Sequence, residues 1–154
     1  MKAYRVHEYG DAAKFIEDEV NKPSAKKGHV VVEVKASSLN PIDHKFLKRD
    51  LGINPALPGI LHMDVAGVIT EVGEGVTAFK TGDEIYGCAG GLQGEAGNIE
   101  GALADFMLAD SNLIALKPKS LSFSESAALP LVTITAWEGL FDRAHIKKED
   151  HVLI

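Results

Sequence analysis

The sequence predicts a strand-dominated α+β fold, a small barrel or sandwich interrupted by a few short helices. Three observations carry that expectation. Residues 29–36 alternate, with Val30, Val32, Val34 and Ala36 apolar and Glu33 and Lys35 charged, as in a strand with one buried and one wet face. Residues 64–72 alternate likewise, Ala66, Val68 and Val72 falling on one side. Glycine turns recur between such runs, at Gly73-Glu74-Gly75 and Lys80-Thr81-Gly82-Asp83, and short strands with regularly spaced turns build barrels and sandwiches.

Within the second run, Gly67 marks a bulge or a close approach of two backbones. Glu84-Ile85-Tyr86 continues the strand series, and residues 102–108 and 113–116 fit two more. The first helix starts at Asn40, a strong N-cap, with Pro41 at the first helical position and Asp43 in the first turn. Ile42, Phe46 and Leu47 give it one apolar stripe. A second helix begins near Ser122, with Glu125 completing a capping box. It breaks around Pro130 and resumes through Trp137, Leu140, Phe141 and Ala144, spaced as one helical face. Residues 87–101 are glycine-rich and read as a mobile loop. After the charged turn Lys147-Lys148-Glu149-Asp150, the run His151-Val152-Leu153-Ile154 reads as a strand with nothing to pair with, the way a parallel-sheet domain opens.

A chain of 154 residues that is 45% hydrophobic can build one well-packed domain and a little more. Asp and Glu outnumber Lys and Arg by 22 to 16, and the net charge of −6 argues against non-specific partners among nucleic acids and anionic membranes. The single cysteine, Cys88, excludes an internal disulfide and any site needing several thiolates, and it fits a reducing cytoplasm. The N-terminus has no apolar core of signal-peptide type, and residues 127–137, broken by Pro130, are too short for a bilayer of ~30 Å. A soluble, cytoplasmic protein is expected.

Chemistry concentrates at Ser37-Ser38-Leu39-Asn40-Pro41-Ile42-Asp43, where a strand meets a helix. Asn40 can serve simply as a helix cap, accepting from first-turn amides while Asp43 complements the helix dipole. Alternatively, its amide lines a cleft and hydrogen-bonds a polar ligand.

That segment belongs to a larger pattern. With Pro58-Gly59-Ile60-Leu61-His62-Met63-Asp64-Val65-Ala66-Gly67-Val68-Ile69, Thr70-Glu71-Val72-Gly73, Gly82-Asp83-Glu84-Ile85-Tyr86-Gly87, Gly101-Ala102-Leu103-Ala104-Asp105-Phe106 and Leu129-Pro130-Leu131-Val132-Thr133-Ile134-Thr135-Ala136-Trp137, it resembles the GroES-like catalytic domain of the medium-chain dehydrogenase/reductase superfamily. The pieces stand in family order across essentially the whole chain. The resemblance implies a partly open GroES-like β-barrel over residues 1–121. Residues 122–154 would then supply connecting helices and the first strand of a dinucleotide-binding Rossmann domain, truncated before its phosphate-holding glycine loop.

Within the superfamily, zinc-dependent members resembling alcohol dehydrogenase place a Cys at the position of Asn40, a His-Glu pair at Met63-Asp64 and a second Cys near Leu131. Catalytic zinc takes about three Cys, His or carboxylate ligands, and of these four residues only Asp64 could coordinate. A rearranged site using His62 and His44 is the metal-bearing alternative. The departures resemble the zinc-independent branch of quinone oxidoreductases and zeta-crystallin-like enone reductases, in which Asn-Pro-x-Asp replaces the cysteine motif.

That branch implies an oxidoreductase using NADPH or NADH and no metal, acting on a small electrophilic molecule, a quinone or an α,β-unsaturated carbonyl. Full-length relatives imply a homodimer, and the isolated chain is expected to be inactive. Carried over by position, Asn40 lines the nicotinamide end of the cleft, Thr135 hydrogen-bonds the carboxamide and Leu131 packs near the ring. Asp43 orients the Asn40 loop, and Asp64 fixes the neighbouring turn through backbone contacts. Relatives often carry a Tyr at the position of Lys45, and here the nearest aromatic is Phe46. For Thr135, ordinary helix packing is the competing role, and Tyr86, His62 and water stay open as proton donors. Two other readings remain: a zinc-dependent alcohol dehydrogenase fragment, and a GroES-like binding or assembly module.

Overall fold

A computed structural model describes residues 1–94 and 97–153. The strands are β1 (Lys2–Val6), β2 (Phe15–Glu19), β3 (His29–Ser38), β4 (Gly59–Ile60), β5 (Asp64–Val72), β6 (Glu84–Cys88), β7 (Leu92–Gly94), β8 (Gly97–Ile99), β9 (Phe106–Asp110) and β10 (Ile114–Leu116). They form two open antiparallel sheets, β10-β6-β5-β3-β9 and β2-β1-β4, with β7 and β8 as a separate hairpin. The helices are α1 (Pro41–Lys48), α2 (Phe123–Ala127) and α3 (Pro130–Trp137). The strand-dominated expectation is met by open sheets rather than a closed barrel. Among the described residues, no helix is long and apolar enough to cross a membrane.

The main core lies against one face of the larger sheet. Val30, Val32, Val65, Ile69, Ile85, Met107, Ala109 and Ile114 fill it, with Val34 and Val72 at its margin. On β5 the core-facing residues are therefore Val65 and Ile69, not the Ala66 and Val68 side that the sequence pattern favoured. Ala66 is fully buried too, because α2 packs over the outer face of β3, β5 and β6. A strand covered on both sides loses the alternation that would have shown its direction.

Gly67 is a close-approach glycine. A Cβ there would meet the Glu33 carbonyl oxygen at 2.2 Å, and the β3–β5 register shifts beside it, between Val34 and Ala36. Helix α1 seats its stripe as expected, with Phe46 fully buried against Val6 and Leu61 and flanked by Ile42 and Leu47. The capping box at α2 is also formed, since Ser122 Oγ accepts the Glu125 N–H at 3.2 Å and Glu125 Oε2 accepts the Ser122 N–H at 2.8 Å.

Several expectations need correction. Residues 102–105 are not the start of a strand. Ala102 N donates to His62 O, Leu103 N to Leu61 O and Asp105 N to Lys2 O, while the Leu103 and Asp105 carbonyls accept from Tyr4 and Val34. Those five bonds tie the two sheets together, and regular pairing with β3 starts only at Phe106. The expected loop over residues 87–101 contains the end of β6 and the β7–β8 hairpin, and its residues 95–96 lie outside the described residues. Beyond α3 the helix widens into π-type turns over Glu138–Arg143. Its predicted apolar face points outward: Trp137 and Phe141 are 57% and 44% exposed and pack on each other at 4.5 Å. Residues 151–153, expected as a strand with nothing to pair with, have no strand partner among the described residues; Leu153 is fully exposed, and Ile154 lies outside them.

Candidate active site

Strand pairing assembles the site. The β3–β5 register sets Ser38 opposite Asp64, and the β5–β6 register sets Asp64 opposite Cys88. Asp64 is fully buried. Its Oδ2 accepts from Asn40 Nδ2 at 2.9 Å and from Ser38 Oγ at 2.8 Å, and its Oδ1 accepts from the Leu131 N–H at 3.0 Å. One carboxylate thus joins the end of β3 to the first turn of α3, where a negative charge also suits the helix dipole. Asp43 is the second fully buried carboxylate. It accepts the Asn40 N–H at 2.8 Å and the His62 N–H at 3.1 Å, so it holds the Asn40 corner and the turn before β5 together.

Of the residues singled out in the sequence, Asn40, Asp43 and Leu131 meet in this network. Thr135 does not join it. Its hydroxyl donates to the Leu131 carbonyl one turn back, at 2.9 Å, and its side chain is exposed. Phe46 is committed to the core, so it supplies no aromatic group to the cleft, and Lys45 and His44 are exposed on α1. Ser38 and Cys88 were missed, because their link to Asp64 depends on strand register rather than on any local motif.

His62 sits in a left-handed conformation (φ 71°), with Nδ1 3.0 Å from Ser37 Oγ and its ring edge-on to Phe15. Burial pushes its pKa below the ordinary 6.5, against the opposing pull of Asp43 and Asp64. The unfolded chain therefore binds a proton that the folded chain refuses, so stability rises with pH across that interval and is lost on acidification below about 6.5. Urea midpoints measured from pH 7.5 to 5 should fall, and His62→Asn, which tolerates the same backbone, should flatten that limb. An unchanged acid limb in the variant would assign the loss to other groups.

The Cys88 thiol is pushed up to about 12, first by burial and then by Asp64 beside it. Its thiolate is scarce at neutral pH, although a more basic thiolate is also more nucleophilic. Together these should make iodoacetamide labelling roughly 10- to 100-fold slower than for a free cysteine. A normal rate at pH 7.5 would contradict that environment.

Between β6, β10 and α3 runs a groove of about 480 Å³, lined among others by Tyr86, Cys88, Leu129, Thr133 and Ile134. The alcohol dehydrogenase GroES-like domain model matches residues 26–119, which include Asn40, Asp43, Asp64 and Cys88. The chain belongs to the alcohol dehydrogenase GroES-like domain family. It is 41% identical over 146 residues to the 2-methylene-furan-3-one reductase of Solanum lycopersicum, covering 91% of this chain and 37% of that protein. To the NADPH-dependent alkenal/one oxidoreductase of Arabidopsis thaliana it is 37% identical, with 91% and 37% covered. To the quinone oxidoreductase of Rattus norvegicus it is 32% identical, with 100% and 45% covered. A crystal structure of an alcohol dehydrogenase superfamily protein from Novosphingobium aromaticivorans superposes with a TM-score of 0.85 at 36% identity, covering 96% of this chain and 43% of that one. The chain thus spans less than half the length of the relatives it matches.

Zinc chemistry can be tested against this GroES-like domain's own donors. Asn40 turns its amide nitrogen, not a lone pair, toward Asp64, and Asp64 already accepts three hydrogen bonds. Among the described residues, no three His, Cys, Asp or Glu side chains stand close enough to hold a metal ion. These donors do not fit a catalytic zinc, which needs deprotonated, uncommitted ligands. The Leu131 N–H, an amide that could have faced a phosphate, is taken by Asp64.

Proposed function

We propose that this chain is the catalytic-side part of a zinc-independent, NAD(P)H-dependent oxidoreductase that reduces quinones or the activated C=C bond of α,β-unsaturated carbonyls. The observation that carries the reading is the Asp64 carboxylate. It ties Asn40, at the position of the cysteine in zinc-dependent members, to α3, and it draws the amide nitrogen of Asn40 toward itself. The activities for which the tomato, Arabidopsis and rat relatives are named support the same chemistry.

In this reading Asn40, Leu131 and Thr135 would hold the nicotinamide end of the cofactor. Asp43 and Asp64 position the corner and the helix that carry them. When bound, the cofactor supplies the hydride. Without a Lewis acid the site suits acceptors that are already electron-poor, and the protein contributes position and exclusion of water. For an enone, hydride adds at the β-carbon and a proton at the α-carbon completes the reduction. Tyr86, half-buried in the groove, His62 and water stay open as the source of that proton. We place the parent protein in the cytoplasm as a homodimer, acting on a small electrophile with neither nucleic-acid nor membrane partners.

The test is to express the chain extended through its nucleotide domain and follow NADPH oxidation with a quinone and with an enone. Turnover with at least one is expected, against none for residues 1–154 alone. No turnover with either would defeat the proposal. Stoichiometric zinc in protein purified without added metal would move it to alcohol dehydrogenase chemistry, and ring-sized particles by sedimentation would move it to an assembly module.

A further inference from the structure

We infer that Lys117 is the second anchor of the connecting helices, opposite Asp64, and sets where α3 begins. It touches neither Asn40 nor Asp64 and would act on the cofactor only as a positioning residue, through Leu131 and Thr135. The cofactor named here rests on the proposed function; the anchoring does not.

After β10 the chain crosses the outer face of the larger sheet as α2 and α3. Helix α2 packs on β3, β5 and β6 with the small side chains of Ser126 and Ala127 fully buried. Apolar packing is non-directional, so it holds a helix down without fixing its place along the surface. Among the described residues, residues 118–130 themselves make no hydrogen bond or ion pair to a sheet strand, and the buried Ser126 Oγ has no partner. Two directional contacts remain, one at each end. At the far end the Leu131 N–H reaches Asp64. At the near end the Lys117 N–H donates to the Glu84 carbonyl at 2.8 Å, and its side chain turns inward until only 5% is exposed.

The Lys117 ammonium donates to the Leu121 carbonyl at 2.7 Å and the Pro118 carbonyl at 3.2 Å. It also pairs with Glu84 Oε2 at 3.1 Å and lies 5.1 Å from the centre of the Phe123 ring. The Glu84 carboxylate is half in water, so that pair adds little. The carbonyls and the ring belong to the turn and to α2, so the ammonium holds the start of α2 against β6. From there the chain is stiff. The Leu121 N–H donates to Pro118, the capping box closes α2, the Leu129 N–H donates to Ser126 and the Thr133 N–H to Leu129. A shift at the start of α2 therefore passes to Leu131. Glu84 and Cys88 end β6, and Asp64 faces Cys88, so the two anchors stand roughly 13 Å apart along one strand.

Lys117→Met keeps the stem and removes the ammonium. In the 154-residue chain its Leu131 N–H should exchange about tenfold faster, the change expected when one charge-assisted hydrogen bond is lost. Amides of the separate β1–β2 pair should keep their rates, and Lys117→Arg should restore most of the Leu131 protection. An unchanged Leu131 rate would show that Lys117 steadies only its own turn, and equal acceleration of both regions would mark general destabilisation. Either result overturns the inference. Should Lys117→Met fail to fold, Glu84→Ala loosens the same anchor, and Leu131 exchange must still rise about twofold. In the full-length protein Lys117→Met should raise KM for NADPH by about three- to tenfold with kcat within about twofold. An unchanged KM would overturn the link to the cofactor. If the wild type binds no NADPH at all, the proposed function fails, while the exchange data still decide the anchoring.

Discussion

Asp64→Ala is expected to destabilise the chain by about 3–5 kcal/mol, the largest effect of any side-chain truncation at the site. Two opposing terms decide the sign. Burying a carboxylate costs several kcal/mol, so its removal relieves desolvation. Against that, truncation strands the Leu131 N–H, an Asn40 N–H and the Ser38 hydroxyl, all of which point at the vacated space. Each buried donor left unpaired costs about 1–3 kcal/mol, and alanine offers none of them an acceptor. Three stranded donors outweigh one relieved anion. Asp64→Asn keeps an acceptor for Leu131 and a polar partner for Ser38, so its cost should be the smaller of the two. Urea unfolding at unchanged m-value measures the difference. A loss below about 1 kcal/mol for the alanine variant would mean that water replaces the carboxylate easily, and that the corner and α3 are held by something else.

The readable parts of this molecule were those governed by neighbours in sequence. Alternation located β5 from Asp64 to Val72, and the Asn40-Pro41 start placed α1, because caps and pleats act over a few residues. Strands β1 and β2 went unread: β2, the edge strand Phe15–Glu19, pairs on one side only, buries none of its residues and carries no apolar face to reveal it. Residues 102–105 misled for the opposite reason. Ala102, Ala104 and Phe106 imitate a strand, yet their backbone bonds reach three different segments. The site divides the same way. Asn40 and Asp43 are three residues apart and announced themselves as a cap, whereas Ser38 and Asp64 are 26 residues apart, and Asp64 and Leu131 are 67 apart. Nothing local foretells those contacts. The family resemblance supplied Asn40, Leu131 and Thr135 as a set, and the geometry unites the first two while giving the Thr135 hydroxyl to its own helix.

Gly67→Val should cost more than about 3 kcal/mol, and its effect should reach the site three residues upstream. The added Cβ would stand 2.2 Å from the Glu33 carbonyl oxygen and 2.7 Å from Val32 Cγ1. The first of these is backbone of the neighbouring strand, so relief requires β3 and β5 to separate where the register already shifts. Gly75→Ala provides the contrast. A Cβ there meets nothing within 4 Å, and only its φ of +82° opposes substitution, at a cost of about 1–2 kcal/mol. In a chain of this size the valine variant should lose roughly 6–12 °C in Tm and the alanine control about half of that or less. The more telling readout is the Asn40 side-chain amide. Ser38 lies on β3 and Asp64 on β5, and their hydrogen bond spans the same strand pair that the valine forces apart. If the variant unfolds early yet leaves Asn40 amide exchange untouched in the native state, the strain is absorbed locally. Faster exchange would show that the glycine's missing side chain helps hold the two strands in the register the carboxylate needs.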